Sequence, residues 1–192
     1  MTWRFHHKLV AAIIATGCVV PGSSIAQSAP SARPADAPAD NLTAQDREVL
    51  SAAEQLATET SQILEQWITT QAIAEDTLFS RMYYPIPKTE PRKFSSPYDA
   101  LSDRDIAGPE DRVLTQFPML QYAILTDING YVPTHNTRFA QPLTGNMAQD
   151  YINNRTKRLL GDLASFAAGH NEAHYLLQRT RLETGDVIYD VS

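Results

Sequence analysis

From Thr43 onward, apolar and small residues recur at alternating steps of four and three: Val49, Ala53, Leu56, Thr60, Ile63 and Trp67. That spacing draws one narrow stripe along a helix. Thr43 followed by Asp46 has the form of a capping box, with Asp in place of the usual Glu, and marks the helix start. No Gly or Pro interrupts the chain as far as Arg81. The pattern therefore predicts a long helix over 43–81, roughly 50–60 Å at the standard rise per residue. Such a helix exceeds what a small domain can cover, so part of its stripe is free to meet a second copy of the chain. A shorter core helix that breaks near Thr69–Thr70 fits the same pattern.

Beyond the helix the period changes. Pro85, Pro87, Pro91 and Pro97 impose an extended, irregular segment, and a short polar helix is expected around Pro109 to Gln116. LQYAILTDI reads as a strand, Asn129-Gly130 as a tight hairpin turn of type I′, and YVPTHN as the returning strand. Pro133 cannot donate to a ladder, so that strand lies at an edge or ends there. GNMAQDYINNRTKRLLGD follows as loop and short helix. AHYLLQRTRLE and DVIYDVS make a second hairpin around Thr184-Gly185. One long helix, short polar helices and antiparallel hairpins define an α+β fold.

The first 42 residues have another character. Arg4, His6, His7 and Lys8 precede the apolar run LVAAIIATGCVV, and Ser24 and Ala26 place small residues where a signal peptidase cuts. The run is too short to span a bilayer, which needs roughly 20 apolar residues. Residues 1–26 are expected to be a cleaved signal peptide and 27–42, rich in Pro, Ala and Ser, a disordered tether. The chain is then periplasmic or secreted. ATGC also resembles a lipoprotein signal, which would anchor the chain by lipid through Cys18. Cys18 is the only cysteine, so the folded part, 43–192, has no thiol for disulfides, zinc or thioether-linked haem. Formal net charge is −6, and removing 1–26 takes away Arg4 and Lys8 but no acid. An acidic chain is a poor nucleic-acid partner.

Four stretches carry a resemblance: DTLFSRMYYPIPKTEPRKFSSPYDAL, DINGYVPTHNTRFAQPLTGN, NNRTKR and HYLLQRTRLETGDVIYDVS. Together they resemble the extracytoplasmic sensor module of methyl-accepting chemotaxis proteins, from Asp76 to the end of the chain. That module is similar to the PAS-like Cache fold, an antiparallel sheet flanked by a long N-terminal helix. Measured against it, the last hairpin is missing after Ser192, as are the second membrane span and the signalling domain. The resemblance implies a module, 82–192 behind the helix, that senses a small molecule outside the cytoplasm in chemotaxis-type signal transduction. A membrane-bound signalling partner would then carry the output.

The density of hydrogen-bonding side chains after the Asn-Gly turn marks the candidate ligand site. Tyr131, His135, Asn136 and Arg138 come from the first loop, and Asn154, Arg155 and Arg158 from NNRTKR, where helical spacing would put Arg155 and Arg158 on one face. Arginine forks hold carboxylates at two points, so a small organic acid is the ligand class indicated. The alternative stays open at this stage: Asn and Thr side chains tie down loops, and an arginine pair can clamp Asp150, Asp162 or loop carbonyls. His170 and His174 in HNEAH lack the order of zinc-protease ligands, so no metal site is assigned. No cofactor is expected, although His135 or His174 could ligate a haem. Without GxSxG, HExxH, a phosphate loop or a mature cysteine, no catalytic residue is expected and the chain does not read as an enzyme. A ligand-free interaction or structural protein of the same fold is the alternative.

Overall fold

The computed structural model describes residues 12–18, 42–181 and 187–191. The tether expected before residue 42, the tip at Thr184-Gly185 and the rest of the expected signal peptide lie outside them. Helix α1 spans Ala44–Thr69. Its capping box is formed: Thr43 Oγ1 accepts the Asp46 amide at 3.0 Å, and the Asp46 carboxylate accepts the Thr43 amide at 2.9 Å. The buried face consists of Val49, Ala52, Ala53, Leu56, Thr60, Leu64 and Trp67. Leu64 takes the place expected of Ile63, because the face drifts slightly around a helix of 3.6 residues per turn.

The helix does not run to Arg81. It stops at Thr69, Gln71 adopts φ 58°, and a separate turn of helix, α2, covers Glu75–Leu78. Thr69 and Thr70 direct their hydroxyls back to the carbonyls of Glu65 and Gln66, at 2.9 and 2.7 Å, and so offer the backbone an alternative to continuing. The proline-rich segment is more regular than expected. β2 (Tyr84–Ile86) and β3 (Lys93–Ser95) pair as a short antiparallel ribbon, with Pro85 opposite Phe94.

Two helices follow, α3 (Asp99–Asp105) and α4 (Ala107–Gln116), the second matching the polar helix read from the sequence. The remaining elements are β4 (Leu120–Leu125), β5 (Tyr131–Val132), a 3-10 turn at Thr137–Phe139, α5 (Met147–Asn153), β6 (Arg158–Leu159), α6 (Leu163–Gly169), β7 (Leu177–Arg181) and β8 (Val187–Val191). A four-stranded antiparallel sheet has the order β4-β1-β8-β7, where β1 is Ala12–Cys18, within the expected signal peptide. The fold is α+β. Helix α1 lies across this sheet, with Val49, Ala52, Ala53 and Leu56 packed on Leu120, Ala123 and Val191. A second cluster joins Leu64 and Trp67 of α1 to Leu78, Tyr98, Ile106, Leu125 and Tyr131.

The turn after β4 closes as expected but not in the expected geometry. Gly130 donates its amide to the Asp127 carbonyl at 2.9 Å and adopts φ +74°, whereas Asn129 is not among the residues with positive φ. A type I′ turn needs both central residues there. The returning strand β5 does not pair with β4 either; it pairs with β6, Tyr131 opposite Leu159 and Val132 opposite Arg158. A Cβ at Gly130 would lie 2.7 Å from the Leu160 carbonyl oxygen. Gly130→Ala is therefore expected to cost more than about 1 kcal/mol in urea denaturation, from the strained φ and the displaced strand together.

Candidate functional site

Two loops meet beside the β5–β6 ribbon. The Arg155 amide donates to the Phe139 carbonyl at 2.7 Å, Gln141 to the Asn153 carbonyl at 3.1 Å, and Lys157 to the Val132 carbonyl at 2.7 Å. The two loops singled out by sequence therefore converge. Backbone bonds zip them together, however, and four of the seven expected pocket residues, Tyr131, His135, Asn136 and Asn154, are buried.

Tyr131 is fully buried, and its hydroxyl bonds the Asp99 carboxylate at 2.8 Å and the Phe94 carbonyl at 3.1 Å. Asn136, also fully buried, accepts the Ala123 amide at 2.9 Å, closing the outer edge of β4. Asn154 bonds the buried ammonium of Lys93 and donates to the Gln141 carbonyl. Burial, with Arg158 and Lys157 nearby, pulls the Lys93 pKa down to about 8. His135 is buried between the rings of Tyr122 and Phe139, at 5.9 and 5.1 Å between centroids. Burial first, then the charges of Arg155, Arg138 and Arg158, push its pKa down to about 3. The ring is neutral at physiological pH, and its Nδ1 has no protein partner among the described residues.

The three arginines behave differently. Arg155 lies over the Phe139 ring at 4.4 Å, Arg138 over the same ring at 4.9 Å, and Arg158 over Tyr151 at 4.4 Å. Arg155 and Arg158 do not share a helix face. α5 ends at Asn153, Lys157 has φ 61°, and Arg158 opens β6. Their remaining protein bonds go to carbonyls: Arg155 to Ile152 at 3.0 Å, Arg158 to Tyr151 at 3.3 Å and Arg138 to Leu120 at 3.3 Å. Asp150 is taken by the amides of Thr144 and Gly145, and Asp162 by Ser165. Among the described residues, none of the three guanidinium groups has a carboxylate partner. Burial, with Arg158 and Arg138 close by, lowers the pKa of Arg155.

The patch thus presents three cations on two aromatic rings, with a neutral histidine beneath Phe139. Phe139, Tyr151 and Tyr122 are the members that sequence reading passed over. An aromatic residue beside each basic cluster was the available signal. Asp111 of α4 also escaped notice; it accepts the Thr137 amide at 2.9 Å, holding the 3-10 turn in place.

A cleft of about 430 Å³ lies elsewhere, beside Trp67, Pro109, Arg104 and Arg112. Its charges are already paired, Arg104 with Asp105 at 2.7 Å and Arg112 with Glu59. The histidines of HNEAH lie apart from the patch: His170 stacks on Phe166 at 4.1 Å, and His174 pairs with Glu54 at 3.1 Å. Among the described residues no three metal-ligating side chains gather, and no helix is long and apolar enough to cross a membrane. Comparisons with protein families, with curated proteins and with solved structures return no match.

Proposed function

We propose that this chain is an extracytoplasmic, Cache-like sensory module that reversibly binds a small organic anion, as in chemotaxis-type signal transduction. The observation that carries the reading is the arginine–aromatic patch: Arg138, Arg155 and Arg158 stand on Phe139 and Tyr151, with no carboxylate partner among the described residues. In a chain of net charge −6, a cluster of cations with no internal acid is a place for an external one. The aromatic rings orient the guanidinium planes, which favours a planar carboxylate over a diffuse charge. His135, neutral and packed edge-on against Phe139, backs the patch.

A route to the helix exists. Thr137, next to Arg138, is gripped by Asp111 of α4, and α4 is tied to α1 through Arg112–Glu59 and through Gln55, which donates to Gln116 at 2.8 Å. A carboxylate drawing Arg138 and Arg155 together would pull on that chain, and α1 would pass a small shift to a membrane-bound partner or a second copy. The leader agrees with a periplasmic or secreted site of action.

The test is titration of the purified chain with mono- and dicarboxylates, followed by calorimetry and thermal shift. Arg155→Ala and Arg158→Ala are each expected to weaken binding about ten- to hundredfold, the range for losing a hydrogen bond to a charged group. Arg104→Ala, at the Trp67 cleft, should leave binding unchanged. If no acid binds, or if binding survives both patch substitutions, the sensing reading gives way to an interaction protein of the same fold. The satisfied roles of Tyr131, Asn136 and Asn154 favour that second reading for those residues.

A further inference from the structure

The centre of the four-stranded sheet is occupied by an unexpected strand. β1 is the apolar core of the leader, yet it runs antiparallel to both β4 and β8, with Ile14 opposite Ala123 on one side and Val191 on the other. β4 and β8 are each hydrogen-bonded to β1 and not to each other. Without β1 they would stand about 9–10 Å apart, twice the strand spacing, with the facing amides and carbonyls of both unpaired.

That separation is held from outside the strand. Leu120 and Ala123 of β4 and Val191 of β8 belong to one core cluster with Val49, Ala52, Ala53 and Leu56, so α1 bridges the two strands across β1. The other edge of β4 is already closed by side chains: Asn136 accepts the Ala123 amide and Glu110 the Leu125 amide, each at 2.9 Å. β4 therefore accepts a strand on one side only, the side that faces β8.

We propose that the gap between β4 and β8 is a strand-binding site for an extended apolar segment, and that residues 12–18 are its occupant within the same chain. Main-chain hydrogen bonds on both sides supply the affinity, as in strand addition to a sheet edge, and α1 supplies the roof. A leader that served only for export would need no register with the folded part, whereas this one is paired residue by residue from Ile14 to Cys18 with β8. Cutting after Ala26 would accordingly convert a self-completed sheet into one with an open site.

The test uses the full chain, made with its leader intact and carrying a specific protease site in the Pro/Ala/Ser-rich stretch 27–40. After cutting, the N-terminal fragment is expected to co-elute with the body on gel filtration, with amides of β4 and β8 still protected from hydrogen exchange. A labelled peptide of residues 9–20 in excess should exchange into the site, and the same peptide with Ile14→Pro should not, since proline removes a central donor. Should the fragment leave while added peptide restores protection, the site stands with weaker affinity. Equal retention of native and Ile14→Pro peptides would mean nonspecific adhesion and overturn the proposal. So would loss of the fragment with protection unchanged, or with protection that added peptide does not restore. Anion binding at the arginine patch is measured separately and decides nothing here.

Discussion

Glu110→Gln is expected to make the protein more stable above pH 4.5, by an amount that grows with pH, and to abolish the decline of the native chain toward alkaline pH. Glu110 is fully buried, with one carboxyl oxygen accepting the Leu125 amide at 2.9 Å and the other unpartnered among the described residues. Burial raises its pKa well above the ordinary carboxyl value of 4.5. The unfolded chain releases this proton near pH 4.5 and the folded chain keeps it, so each further rise in pH favours unfolding until the folded pKa is passed. Glutamine keeps an acceptor for Leu125 without a proton to lose.

His135 has the opposite sign. Its folded pKa of about 3 lies below the ordinary 6.5, so the unfolded chain takes up a proton that the folded chain refuses. Stability present above pH 6.5 is lost as the pH falls toward 3, on the order of 4 kcal/mol in all. His135→Leu should flatten the acid limb and leave the alkaline limb intact. Between about pH 4.5 and 6.5 the two effects oppose each other, and the native chain should show a plateau. Urea midpoints across pH 3–9 for the native chain and the two variants decide this. A Glu110→Gln curve parallel to the native one throughout would mean that the carboxyl is ionised in the fold.

The second large effect belongs to Asp127. Its buried carboxylate accepts the Tyr98 hydroxyl at 3.2 Å, the amides of Asn129 and Tyr131 at 2.9 Å each, and a short bond from Tyr83. Asp127→Ala strands these donors at the turn that launches β5, and is expected to cost on the order of 3–5 kcal/mol. Asp127→Asn, which keeps an acceptor but turns an amide group toward other donors, should fall between. Tyr83→Phe should cost about 1 kcal/mol, the ordinary worth of one such bond. Chemical denaturation of the three variants measures this directly. A loss under 0.5 kcal/mol for the alanine variant would show that the carboxylate is not the hub of the turn.

Local chemistry made much of the fold readable. The Thr43–Asp46 cap, the α1 stripe as far as Trp67, strand β4, the turn at Gly130 and the antiparallel pairing of β7 with β8 each depend on residues a few positions apart, so a short window contains the cause. The limit of α1 was less visible, because threonine hydroxyls that bond back to Glu65 and Gln66 do not announce themselves as Gly or Pro would. Among the site residues, the three arginines come together at the surface of the two loops, Arg138 exposed and Arg155 and Arg158 half-buried. Tyr131, Asn136 and Asn154 lie below them, each bonded to a partner from another element that no short window reveals: Asp99, the Ala123 amide and Lys93.

Composition and periodicity were enough to establish an acidic α+β chain with an apolar N-terminal run, a capped first helix and two loops rich in hydrogen-bonding groups. They could not say that β5 would leave β4 for β6, that Glu110 and Asn136 would close the edge of β4, or that the N-terminal apolar run would fill the middle of the sheet. Those outcomes turn on which backbone groups remain unpaired once distant segments come together. An unpaired amide in the interior costs the same wherever its partner lies along the chain, and so it recruits whichever acceptor the folding brings near.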